Sequence, residues 1–107
     1  MKQLPNTAPN MTHYKKRTDA NHAEIMQEFR RLGASVLDLS RVGMGCPDLL
    51  IGVNSQCALV EVKVGNAKFT PAQELFMYNW RGGTVSRIDS PEAAERLVKC
   101  MKGLNYD

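Results

Sequence analysis

Leu49-Leu50-Ile51-Gly52-Val53 and Cys57-Ala58-Leu59-Val60-Glu61-Val62-Lys63 are two strand-like runs of branched apolar residues, and the hairpin they form constrains the fold more than any other stretch. Asn54-Ser55 between them is turn chemistry, and a tight loop there sets Val53 opposite Gln56. The same register sets Asp48 opposite Glu61, and facing residues hold their Cβ atoms ~5 Å apart on one face. Lys63, two residues beyond Glu61, shares that face. Leu49, Ile51, Val53, Ala58, Val60 and Val62 form an apolar set on the other. Pro-Asp at a strand start and Glu-x-Lys on a strand are each common on solvated edges. At this spacing, however, one short hairpin gathers three charges. Two carboxylates this close repel unless a positive charge lies between them. A divalent ion suits such a pair, and Mg²⁺ takes one or two carboxylates with waters and phosphate oxygens.

The chain has 107 residues, enough for one small domain with a single core. Its net charge of +3 and pI near 8.9 are compatible with a nucleic-acid partner without requiring one. Cys46, Cys57 and Cys100 form no Cys-x-x-Cys pair and no zinc pattern, so buried reduced thiols in a cytoplasmic protein are expected. No apolar stretch approaches the ~20 residues of a membrane span, and no signal peptide is evident.

Residues 1–18, with Pro5, Pro9 and Lys15-Lys16-Arg17, read as a flexible basic arm, and residues 19–107 as one domain. Asn21-His22-Ala23-Glu24 has the form of a capping box opening a helix that carries Ile25, Phe29 and Leu32 and ends at Gly33. Ser35 to Ser40 alternates as a strand, and Arg41 to Cys46 is a glycine-containing loop. After the hairpin, Thr70 as N-cap, Pro71 at N1 and Gln73 at N3 begin a helix running to about Arg81. Thr84 to Ile88 is a fourth strand, and Ser90 caps a last helix carrying Ala94, Leu97, Val98 and Met101. The expected fold is α/β, of order αβββαβα, with helices flanking a mixed four-stranded sheet.

This order, with Pro47-Asp48 before the second strand, Glu61-Val62-Lys63 ending the third and Gln73 on the next helix, resembles the PD-(D/E)XK nuclease (restriction-endonuclease-like) fold. Gly43 to Leu50, Leu59 to Lys63 and Thr70 to Gln73 look like its small VRR-NUC branch, as does Arg17-x-Asp19-x-Asn21-x-x-Glu24-Ile25. The likeness covers roughly residues 17–98. Cys46 departs from it, standing where a small or apolar residue is more usual. The resemblance implies a deoxyribonuclease that uses Mg²⁺ or Mn²⁺ and no small-molecule cofactor. It further implies DNA as partner, branched structures as a preferred substrate, a homodimer as working unit, and the cytoplasm of a bacterial or phage-infected cell.

Phosphodiester hydrolysis needs an in-line water, a Lewis acid on the phosphate and relief of charge on the leaving oxygen. Asp48 and Glu61 are the metal ligands, joined by similarity to the family by the backbone carbonyl of Val62. Lys63 serves as electrostatic stabiliser or as base. Glu24 is either a further metal-site carboxylate, as the resemblance implies, or only a cap. Gln73 is either a reciprocal cap or a polar contact to the metal-bound water or the DNA backbone, and the resemblance favours the second. Arg41, Gly43 and Gly45 lie in a loop whose amides could approach phosphate. Lys68 and Arg87 are weaker candidates. Tyr14, Tyr78, Trp80 and Tyr106 form no stacking platform, and Trp80 is expected in the core. His13 and His22 are expected to be exposed.

Three functions compete: a metal-dependent DNA endonuclease, a catalytically inactive DNA-binding module of the same fold, and an interaction protein with no nucleic-acid role. Intact Asp48, Glu61 and Lys63 favour the first.

Overall fold

The computed structural model describes residues 17–103. Its elements are α1 (Arg17–Arg31), β1 (Ser35–Asp38), β2 (Leu49–Val53), β3 (Gln56–Val62), α2 (Pro71–Asn79), β4 (Val85–Ile88) and α3 (Pro91–Met101). The sheet order is β1-β2-β3-β4. The first two pairings are antiparallel and β3–β4 is parallel, with α2 in the crossover. This is a mixed α/β fold in the expected element order. The expected basic arm lies outside the described residues except for Arg17 and Thr18, which already belong to α1. Among the described residues no helix is long and apolar enough to cross a membrane.

Asn54 and Ser55 both take left-handed φ, 53° and 66°, as the connection of a tight hairpin with right-twisted strands requires. Val53 therefore pairs with Gln56 and Leu49 with Val60, so Asp48 extends the ladder to Glu61. Period-2 alternation then buries Leu49, Ile51, Val53 and Val60 on one face. Ile25 and Phe29 of α1, one helical turn apart, join Ala94, Val98 and Met101 of α3 in the core formed with that face. Burying one such side chain contributes ~1.5–3 kcal/mol, so this layer holds the hairpin's register.

Helix α1 begins a turn earlier than its Asn21 start signal suggests. Asn21 is inside the helix because its side chain has a tertiary partner, donating from Nδ2 to the Lys63 carbonyl at 2.8 Å. The capping-box assignment of Asn21 and Glu24 is thereby overturned. At the other end Gly33, at φ +90°, closes a Schellman turn: its N–H bonds the Arg30 carbonyl while Ala34 N–H bonds that of Phe29.

Helix α2 has the expected capping box, Thr70 with Gln73, but stops at Asn79. Trp80 leaves it in extended geometry and stacks on Phe76, with ring centroids 5.3 Å apart. A Cβ at Gly82 would come within 2.7 Å of the Trp80 ring, so glycine lets the chain pass there. Trp80 is 44% exposed and so is not the core residue expected. The thiols also differ from expectation: Cys46 is half-buried, and Cys57 and Cys100 are exposed.

Candidate active site

The second face of the sheet carries the charged cluster. Asp48 directly follows buried Pro47, and its Oδ2 accepts the Val62 N–H at 3.0 Å. Its own carbonyl accepts from Leu39 N–H, anchoring the end of β2 to the end of β1. Glu61 is only 3% exposed, the one buried charged residue among those described. Its Oε2 accepts from Gln73 Nε2 at 2.8 Å and lies 3.8 Å from Lys63 Nζ.

Gln73 closes the expected cap and also reaches two members of the charged cluster. Its backbone N–H bonds the Thr70 hydroxyl, and its Oε1 accepts from the Thr70 N–H at 2.8 Å, completing the cap. The same Oε1 accepts from Lys63 Nζ at 2.8 Å, while Nε2 reaches Glu61. The cap therefore aims the amide, and the amide joins Lys63 to Glu61. Lys63 Nζ also sits 5.7 Å from the Phe69 ring centroid, a cation–π contact. Its backbone is held on both sides, N–H to Ile88 and carbonyl to Asn21.

Burial, then the negative charge and hydrogen bonding of Asp48, push the Glu61 carboxyl up from 4.5 to about 7, against the opposing pull of Lys63. The pair thus holds a desolvated excess of negative potential that one lysine does not neutralise. Such a donor set fits a divalent cation, which a hard pair of carboxylates can bind while leaving positions for waters and phosphate. The Cys46 thiol feels the same field: burial, Asp48 and Glu61 all raise its pKa, keeping it protonated.

The loop preceding Asp48 is built for close approach. Gly43, Met44 and Gly45 all take left-handed φ. A Cβ on Gly45 would overlap the Ala72 carbonyl, so the loop lies directly against the first turn of α2. On the far side, Arg87 pairs in register with Glu61 across the parallel strands. Its guanidinium donates to the carbonyls of Gly65 (2.6 Å) and Ala67 (2.8 Å) and pairs with Asp89 at 3.0 Å. It braces the segment between Lys63 and the α2 cap. Arg87 and Asn21 both act on the site through backbone carbonyls of residues distant in sequence, a role that no local pattern signals.

Glu24 is not brought to Asp48 and Glu61. It is exposed and lines a separate hollow of about 300 Å³ with Ala20, Asn21, Val64 and Asp89. Among the described residues no group of three or more His, Cys, Asp or Glu side chains is arranged to hold a metal ion. Val62 contributes its N–H to Asp48. Arg41 is exposed near Asp38, and helps to lower that carboxyl's pKa after the hydrogen bonds from Ser40 and the charge of His22. His22 is largely buried instead of exposed, with Nε2 3.6 Å from Asp38 Oδ1. His13, Tyr14 and Tyr106 lie outside the described residues. No protein-family model matches the chain, and neither does any curated protein.

Proposed function

We propose that the protein is a metal-dependent DNA endonuclease of PD-(D/E)XK type, similar to the VRR-NUC branch. The observation that carries this is the joining of Asp48, Glu61, Lys63 and Gln73 at one end of the hairpin, with Gln73 hydrogen-bonded to both Glu61 and Lys63. The burial of Glu61 adds support, because a solvated edge has no need to bury a glutamate.

Asp48 and Glu61 would hold Mg²⁺ or Mn²⁺, with the Val62 carbonyl added by the resemblance. Bound there, the ion would supply Lewis acidity to the scissile phosphate and a water of lowered pKa. Val62 N–H fixes one Asp48 oxygen and so orients the other. Gln73 holds Glu61 Oε2 and Lys63 Nζ at fixed separation, before any substrate arrives. Lys63 then presents a preorganised positive charge to a phosphate beside the carboxylates, in surroundings where water screens it poorly. As its ammonium donates to Gln73, electrostatic stabilisation is the role this arrangement favours.

Incubating the full chain with branched and linear DNA in Mg²⁺, Mn²⁺ or EDTA tests the proposal. Metal-dependent cleavage, stronger on branched DNA, is expected. Metal-independent binding without cleavage would instead identify an inactive DNA-binding module, and neither binding nor cleavage would remove the nucleic-acid role.

A further inference from the structure

Helix α2 leaves an apolar strip without cover. Ala72, Leu75, Phe76 and Asn79 share one side of it by i, i+3, i+4, i+7 spacing, yet no residue of α2 is buried. With Met44 and Trp80 they line a hollow of about 420 Å³, within the roughly 300–1,000 Å³ of small-ligand sites. Trp80 stacks on Phe76 with 17° between the ring planes, so the two rings give the hollow one continuous aromatic wall. Met44 is 89% exposed at φ 56°, a conformation uncommon outside glycine and asparagine. The loop therefore keeps a flexible thioether in water at the rim.

We infer that the hollow receives one unpaired nucleobase of the DNA strand whose backbone passes Asp48 and Glu61. Three observations select a base. Paired aromatic rings and a thioether suit a flat π-face, and stacking of this kind accepts any base. The polar groups of the lining are the Asn79 amide and the Trp80 indole N–H, which match a base edge; no ionisable side chain lines the hollow to hold a phosphate inside it. An apolar segment of protein covering the strip would leave that amide buried and unpaired. Positive charge stands next to the hollow instead, where the strand's backbone would run. Arg81 follows Trp80, is exposed, and has no ion-pair partner among the described residues. Glu74, the one carboxylate of α2, lies roughly 150° around the helix from the strip.

The hollow adjoins the candidate active site through two elements. Ala72 precedes Gln73, whose amide holds Glu61 and Lys63. Met44 precedes Gly45, which lies against the Ala72 carbonyl in the loop leading to Asp48. The inference rests on the nuclease proposal for the identity of the strand and deepens it. A base held against Phe76 and Trp80 would set the register of the neighbouring phosphate beside Lys63.

Binding of the full chain in EDTA tests this without cleavage, with emission from Trp80, the single tryptophan, as readout. The probes are a single-stranded DNA oligonucleotide, an abasic strand of the same length, and a fully paired duplex. Quenching by the first alone is expected. Trp80→Ala and Leu75→Glu, both at exposed positions and checked by circular dichroism, should weaken binding of the labelled single strand roughly 5- to 150-fold by anisotropy, the worth of one stacked base. Arg81→Ala should lower the slope of log affinity against log salt by about 0.7, one phosphate contact. Equal quenching by the abasic strand would overturn the inference, as would no quenching by a single strand that anisotropy shows to be bound. A chain that binds no single strand would overturn it too, as would two folded variants that bind as tightly as wild type. Emission that changes with protein concentration alone would also overturn it and assign the strip to a protein contact. Base-dependent quenching without metal-dependent cleavage would keep the base site and count against the nuclease proposal alone. Metal-dependent cleavage without such quenching would do the reverse.

Discussion

Gln73 Nε2 donates to Glu61 Oε2 at 2.8 Å while Gln73 Oε1 closes the cap of its own helix on Thr70. Local helix chemistry and the geometry of the charged cluster thus share one amide. Gln73→Ala should weaken the α2 cap by about 1 kcal/mol. It should lower cleavage far more than that change in stability implies, on the order of 10–100-fold, because Glu61 and Lys63 lose their common partner. Parallel thermal melts and initial cleavage rates separate the two effects. A rate that falls only in step with folded fraction would reduce Gln73 to a cap.

Glu61 sets a pH dependence of the metal-free protein. Its folded-state pKa, about 7, lies above the ordinary 4.5, so the folded state binds the proton more tightly than the unfolded chain. The resulting stability is fully present below about pH 4.5 and is lost as pH rises to about 7, up to roughly 3 kcal/mol. Urea titrations from pH 4 to 8 in EDTA should show this loss, and Glu61→Gln should flatten it. Cation affinity should run oppositely, rising about tenfold per pH unit below 7 as the competing proton leaves.

Gly45→Ala tests the loop against α2. Alanine is strained at φ 77°, and its Cβ would overlap the Ala72 carbonyl. We expect a loss of ~1–3 kcal/mol in thermal melts. Displacement of the Gln73 side chain should show as an altered amide signal by NMR. Gly43→Ala, where the same strain meets open space, is the control and should leave that signal in place.

Arg87→Lys should fail to replace arginine, because a single ammonium cannot span the carbonyls of Gly65 and Ala67 together with Asp89. Faster hydrogen exchange confined to residues 64–70 is expected, with a several-fold lower cleavage rate and slow exchange retained in α1 and α3. Uniformly faster exchange would make Arg87 a general stabiliser.

What sequence could convey here was whatever depends on neighbours along the chain. Asn54-Ser55 determines the hairpin register, and alternation follows from it, so Asp48, Glu61 and Lys63 could be placed together. Thr70, Pro71 and Gln73 announce a cap by their spacing alone. Asn21 misled because its residue type suits a cap, whereas its amide is used by the Lys63 carbonyl across the fold. Arg87 was undervalued because its register with Glu61 depends on a parallel crossover. Trp80 and the exposed Cys57 and Cys100 were expected inside on residue preference, which tertiary arrangement overrides. The direction taken by Glu24 depends on the rotation of α1 against the sheet, which no local pattern encodes.

The central claim is that Asp48 and Glu61 hold a divalent cation and Lys63 does not. Thermal melts of wild type, Lys63→Ala, Asp48→Ala and Glu61→Ala, each with Mn²⁺ and with EDTA, test it most directly. A ligand at 100 times its Kd stabilises by ~2.7 kcal/mol, a shift of several degrees in a domain of this size. The account predicts that shift in wild type and in Lys63→Ala, with cleavage abolished only in the latter, and no shift in either carboxylate variant. Equal Mn²⁺ shifts in all four proteins would contradict it, placing the ion elsewhere.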